Sequence, residues 1–129
     1  MAPVGEYTLG NTVFSFSGRA VFVTGGTQGI GLATAEAFAC AGADVAICAR
    51  TQSDIAKTCD VLEPLGSGSV HGIVTDLADP EAPSAVFSEV VEVFSRVDVL
   101  VNNAAAQGNF PFPEMDVELW RWMAQVNLH

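Results

Sequence analysis

The chain has 129 residues, half of them apolar, and a formal net charge of −10. That length suits one domain, and that composition can bury a core. Only Arg19, Arg50, Lys57, Arg96 and Arg121 are basic, and they form no cluster, which excludes a nucleic-acid surface and disfavours an anionic membrane as partner.

The first residues, MAPVGEYTLGN, lack the positive and apolar regions of a signal peptide. Residues 1–18 read as a leader, and 19–129 as the folded domain. Ala20 to Thr24 is an apolar run between Gly18 and Gly25, the pattern of a buried strand. A helix is expected from Gly29 to Ala41, with apolar Ile30, Ala33, Ala37 and Phe38, and with Gly42 as its stop. Asp44 to Ala49 is a second strand. Thr51 can cap the next helix, with Asp54 near its positive end and Ile55, Cys59 and Leu62 as its core face. Pro64 and GSGS end that helix. Val70 to Val74 is a third strand. Asp79 and Pro80 signal a helix start, with Val86, Phe87, Val90 and Phe94 facing inward. Val97 to Val101 is a fourth strand, and Asp116 opens a last helix carrying Leu119, Met123 and Val126 on one face.

Strands and helices alternate, which predicts an α/β fold: a Rossmann-like doubly wound parallel sheet of about four strands in the order 3-2-1-4. No apolar run approaches the roughly 20 residues of a spanning helix. The three cysteines, Cys40, Cys48 and Cys59, form no CxxC pair and read as buried free thiols, with no metal. A reducing cytoplasm fits them best.

The stretch TGGTQGIG, Thr24 to Gly31, joins the first of these strands to the first of these helices. A helix N-terminus offers unpaired N–H groups and a positive dipole end. Glycines let an anion approach that backbone without a Cβ in the way. In an acidic protein, local dipoles rather than the global field must hold an anionic ligand. The spacing is TGxxxGxG, and no Gly-Lys-Ser/Thr of a Walker loop follows. A turn that merely permits close helix packing is the competing reading of the octet alone.

TGGTQGIG resembles the cofactor motif of the short-chain dehydrogenase/reductase family, in its TGxxxGxG subgroup. Three further stretches match that family in order: Asp76–Leu77 after the third strand, VNNAA at 101–105, and Asn127 in VNLH. The resemblance runs from about Gly18 to the end of the chain. It implies an oxidoreductase that interconverts a carbonyl and an alcohol on a small-molecule substrate, using a nicotinamide cofactor. It implies that Thr24, Gly25, Thr27, Gln28, Gly29, Ile30 and Gly31 form the cofactor cradle. Asp76 and the Leu77 backbone would contact adenine, although Asp76 also reads as a turn-capping carboxylate. Asn103, with Ala104 and Ala105, would lie along the cofactor, although Asn103 also reads as a tie between loops. Ala105 stands where the family has glycine. Asn127 would be the asparagine of the Asn-Ser-Tyr-Lys tetrad.

The second strand ends in Ala49–Arg50, not in a carboxylate that would bond a ribose 2′-OH. A guanidinium there can pair with a 2′-phosphate, so NADP(H) is expected over NAD(H). Many NADP-using relatives also carry a base inside the glycine motif, where this chain has Gln28.

The family's proton transfer needs a Ser, a Tyr and a Lys four residues after the Tyr. The one tyrosine is Tyr7 and the one lysine is Lys57, so YxxxK is absent, and His129 has no visible orienting partner. The expectation is the N-terminal, cofactor-binding half of such an enzyme, truncated and catalytically incomplete by itself. It would be completed by a C-terminal half or form a homo-oligomer; alone, with the fourth strand an uncovered apolar edge and the last helix lacking its packing partners, it is expected to self-associate or be poorly soluble. A non-catalytic nucleotide-binding or interaction module is the alternative. Phe110 and Phe112 would give one substrate wall apolar character, although loop phenylalanines flanked by Pro111 and Pro113 more often pin a loop to the core.

Overall fold

The computed structural model describes residues 5–106 and 111–128. Phe110 and His129 lie outside the described residues, as does the side chain of Phe112. The segment expected to be a leader contains a hairpin: β1 (Tyr7–Leu9) pairs antiparallel with β2 (Thr12–Phe14). Leu9 faces Thr12 across Gly10–Asn11, a two-residue turn between alternating strands, which is a readable hairpin signal. The hairpin is tied to the domain where the Phe16 N–H donates to the Ala41 carbonyl.

The remaining elements alternate as expected. They are β3 (Ala20–Thr24), α1 (Gly29–Cys40), β4 (Asp44–Ala49), α2 (Gln52–Leu62), β5 (Val70–Val74), α3 (Ala82–Phe94), β6 (Val99–Val101) and α4 (Val117–Leu128). The strands form one parallel sheet in the order β5-β4-β3-β6, the predicted 3-2-1-4 order.

Side-chain alternation along the strands divides the core into two layers. Val21, Val23, Val45 and Ile47 point to the face covered by α1 and α2, where they meet Ala35, Ala39, Ile55 and Leu62. Phe22, Ala46 and Cys48 point to the other face and meet Val86 and Val90 of α3. β3 is buried along its whole length, so its run is apolar on both faces. Fully burying each large aliphatic side chain contributes about 1.5–3 kcal/mol.

Two aspartates fix the strand starts. The Asp44 carboxylate accepts the Ser69 N–H at 2.7 Å, and the Asp98 carboxylate accepts the Ala20 N–H at 2.8 Å. Each closes an amide that the first ladder bond leaves open.

Several boundaries and faces differ from expectation. α3 begins at Ala82 rather than after Asp79: the Asp79 carboxylate caps a turn by accepting the Glu81 N–H, and Pro83 falls in the first helical turn. Phe87 is exposed, because the inward face of α3 is Ala82, Val86 and Val90. On α1 the buried face is Gly31, Ala35 and Ala39, while Ile30 is 79% exposed. On α2, Thr58 joins Ile55 and Leu62 in the core, its hydroxyl satisfied by the Asp54 carbonyl. Thr51 holds the cap position with no side-chain cap bond. Gly42 ends α1, its N–H donating to the Ala39 carbonyl. Asp116 opens α4 by accepting the Leu119 N–H. Cys48 is buried, whereas Cys40 and Cys59 are only half-buried; among the described residues no acidic, His or Cys cluster could hold a metal. Among the described residues no helix is long and apolar enough to cross a membrane.

Candidate functional site

Parallel strands aim their C-terminal ends at one edge of the sheet, and the strand order reverses between β3 and β6. A crevice is expected at that switch point. A cavity of about 550 Å³ lies there. The turn after β3 and the start of α1 form one wall, through Gly25, Thr27, Gln28, Gly29 and Ile30. The end of β4 supplies Ala49 and Arg50, and the end of β5 supplies Thr75, Asp76 and Leu77. The segment after β6 supplies Asn103, Ala104, Ala105 and Ala106. Eleven of the fourteen site residues expected from sequence are thereby brought together.

Thr24 and Gly31 lie beneath the cavity. The buried Thr24 hydroxyl donates to the Val101 carbonyl and accepts the N–H groups of Asn103 and Ala104, at 3.3, 3.0 and 2.9 Å. Its bonding capacity is full, so it holds the glycine turn and the β6 exit at a fixed spacing. The Asn103 amide reinforces this, donating to the carbonyls of Thr24 and Gly25, each at 3.1 Å. Asn103 thus ties two loops together.

The glycines divide by task. A Cβ on Gly31 would collide with the Gly25 carbonyl and the Asn103 amide, so its missing side chain serves close packing. Gly29 has φ +56° and nothing within 4 Å of where a Cβ would stand, so it leaves open the space above the start of α1. Gln28 makes no side-chain cap bond there, and the first turn carries no acidic residue, so the positive end of the helix is not neutralised locally.

Asp76 uses one carboxylate oxygen to accept the Ala78 N–H at 3.0 Å, which shapes the turn and leaves the other oxygen. Burial pushes the Cys48 thiol up, opposed by the Gly25 backbone N–H, and keeps this cavity-lining cysteine protonated. Asn127 lies outside this cavity. Its amide accepts the Ala106 N–H at 2.8 Å and donates to the Ala106 carbonyl at 3.0 Å, fastening α4 to the segment after β6.

Sequence reasoning missed Trp122 and Val126, which line the cavity from α4. Trp122 is half-buried, and the Arg50 guanidinium carbon lies 5.5 Å from its ring centroid. The i, i+4 spacing of these two residues marks a shared helix face, but not what the face meets.

A family model described as short chain dehydrogenase matches residues 19–129. The chain is 40% identical over 115 residues to the short chain dehydrogenase/reductase dpmpG of Macrophomina phaseolina, covering 88% of this chain and 66% of that protein. It spans 39–42% of the length of several further curated relatives. Among solved structures, L-sorbose reductase from Gluconobacter frateurii, complexed with NADPH and L-sorbose, superposes with a TM-score of 0.80 at 33% identity, over 87% of this chain and 43% of that one. A short chain dehydrogenase from Burkholderia cenocepacia in complex with NADP gives a TM-score of 0.81 at 33% identity, over 87% and 46%. The fold, the switch-point cavity and the match across 19–129 agree, and the chain belongs to the short-chain dehydrogenase family.

Proposed function

We propose that this chain forms the nucleotide-binding part of an NADP(H)-dependent oxidoreductase that interconverts a carbonyl and an alcohol on a small molecule. The observation that carries the cofactor choice is Arg50. It stands at the cavity rim directly after Ala49, where a carboxylate would otherwise select a 2′-OH. Two structural relatives were solved with NADPH or NADP, which supports the same reading.

The residues present fit a dinucleotide. The open space above Gly29 and the uncapped start of α1 suit a pyrophosphate. The free carboxylate oxygen of Asp76 and the Leu77 backbone suit an adenine edge, and Arg50 suits a 2′-phosphate. Ala104 and Ala105 bound the cavity without filling it. When bound, the nicotinamide supplies or accepts hydride. This chain binds and orients it, and Asn127 positions the segment after β6.

Proton transfer is assigned to residues outside 1–129. Tyr7 lies on the hairpin joined near the far end of α1, a helix of 12 residues and hence about 18 Å from the glycine turn. Lys57 is exposed on α2.

Calorimetric titration tests the reading. NADP should bind at least about tenfold more tightly than NAD, and Arg50→Ala should remove most of that difference, the scale of a charge-assisted hydrogen bond. The isolated chain should turn over no NADPH with carbonyl compounds. Equal affinities overturn the cofactor choice, and turnover overturns the assignment of proton transfer elsewhere.

A further inference from the structure

Arg50 differs from the other arginines in what its guanidinium meets. Arg19 and Arg96 turn to Asp98, and Arg121 turns to Glu118. Among the described residues no carboxylate oxygen comes within 4.0 Å of Arg50; instead its guanidinium lies over the Trp122 indole. Asp54, the nearest acid in sequence, lines the same cavity without reaching it. An aromatic face attracts a guanidinium and restrains it without using its N–H groups. Those donors lie in the guanidinium plane and stay free for an anion.

We propose that Trp122 is a positioning residue for Arg50: the indole holds the guanidinium so that its N–H edge meets the 2′-phosphate of NADP(H). Cofactor choice then depends on α4 as well as on the end of β4. The inference rests on the reading of Arg50 as the 2′-phosphate ligand. The geometry also explains how one exposed arginine can suffice with Gln28 in the glycine motif. A loose side chain would lose rotamer freedom on meeting the phosphate, whereas a stacked one has lost part of it already.

Two measurements on the full chain test this. In titrations, Trp122→Leu should weaken NADP binding about two- to fivefold and leave NAD unchanged, and Trp122→Phe should retain most of the affinity. In a Trp120→Phe background Trp122 is the one remaining tryptophan; Trp120 is 61% exposed, so that change is mild. Adenosine 2′,5′-bisphosphate should then shift Trp122 emission, adenosine 5′-monophosphate should not, and Arg50→Ala should abolish the response. This second readout keeps the native indole, so it stands if Trp122→Leu misfolds. If Arg50→Ala leaves the NADP-to-NAD ratio unchanged, the reading of Arg50 fails and takes the inference with it. If Arg50→Ala collapses the ratio while Trp122→Leu weakens both nucleotides equally, or Trp122 emission ignores the 2′-phosphate, only the role of Trp122 is overturned.

Discussion

Asp98 serves three partners at the end of the sheet remote from the cavity. Its carboxylate accepts from Arg96, accepts the Ala20 N–H and lies 3.8 Å from Arg19. The Arg96 hydrogen bond first, and the Ala20 N–H second, hold its pKa below the ordinary carboxylate value. A carboxyl group depressed in the folded state stabilises the fold above its unfolded pKa of about 4, and that contribution is lost as pH falls through the lower folded value. Thermal unfolding should therefore show Asp98→Asn melting below wild type at pH 7, with the gap shrinking as pH drops below 4. A gap that is constant with pH would mean that the charge contributes nothing. At the same scale, the places of Arg50 and Asp76 on the cavity were legible, because each directly follows or nearly follows a strand end. Trp122 was not legible. Its role depends on a partner on another element, and no local pattern in α4 names that partner. Asn103 and Thr24 were legible as site residues, but the structure gives their visible bonds to the scaffold: they hold the cavity floor.

At the scale of elements, β3, β4 and β5 were readable to the residue: β3 and β4 are plain apolar runs buried on both faces, and β5, only partly buried, is set off by the turn residues on either side. Helix starts were less readable. Asp79 serves as well in a turn as at a cap, and only the path of the chain decides which. The hairpin was missed although Gly10–Asn11 announced it, since three-residue strands are too short to show a burial pattern and each position of β1 and β2 is exposed. The turn from β3 to α1 was legible as a wall of the cavity, yet sequence could not assign its glycines separately. Gly31→Ala should cost about 1–3 kcal/mol, because a methyl group must displace the Gly25 carbonyl or the Asn103 amide. Gly29→Ala meets open space and should cost about 1 kcal/mol for its positive φ, while weakening nucleotide binding more than stability. Urea unfolding beside NADP titration checks the contrast; equal stability losses would show that both glycines serve packing alike.

Over the whole molecule, the parallel order and the two-layer core followed from alternation of strands and helices, the least ambiguous signal in the sequence. What surrounds β6 did not follow. Among the described residues β6 pairs on one side only, with Leu100 45% exposed and lining one surface hollow with the exposed Phe87. An unpaired apolar strand edge is a template for another chain. The 129-residue chain should therefore self-associate at micromolar concentration, as sedimentation velocity would register. A single sharp monomer boundary would oppose this.

The clasp between Asn127 and Ala106 bears on the order of folding. The glycine turn and the ends of β3 and β4 lie close together in the chain and can form early. The cavity gains the wall carrying Trp122 and Val126 only once α4 has docked, and the two amide bonds at Asn127 fasten that docking. Closing so long a loop is slow, because its entropy is lost before the contacts repay it. On the proposed function, a nucleotide would therefore meet a nearly finished domain, stabilising by mass action what has already assembled rather than nucleating the glycine turn.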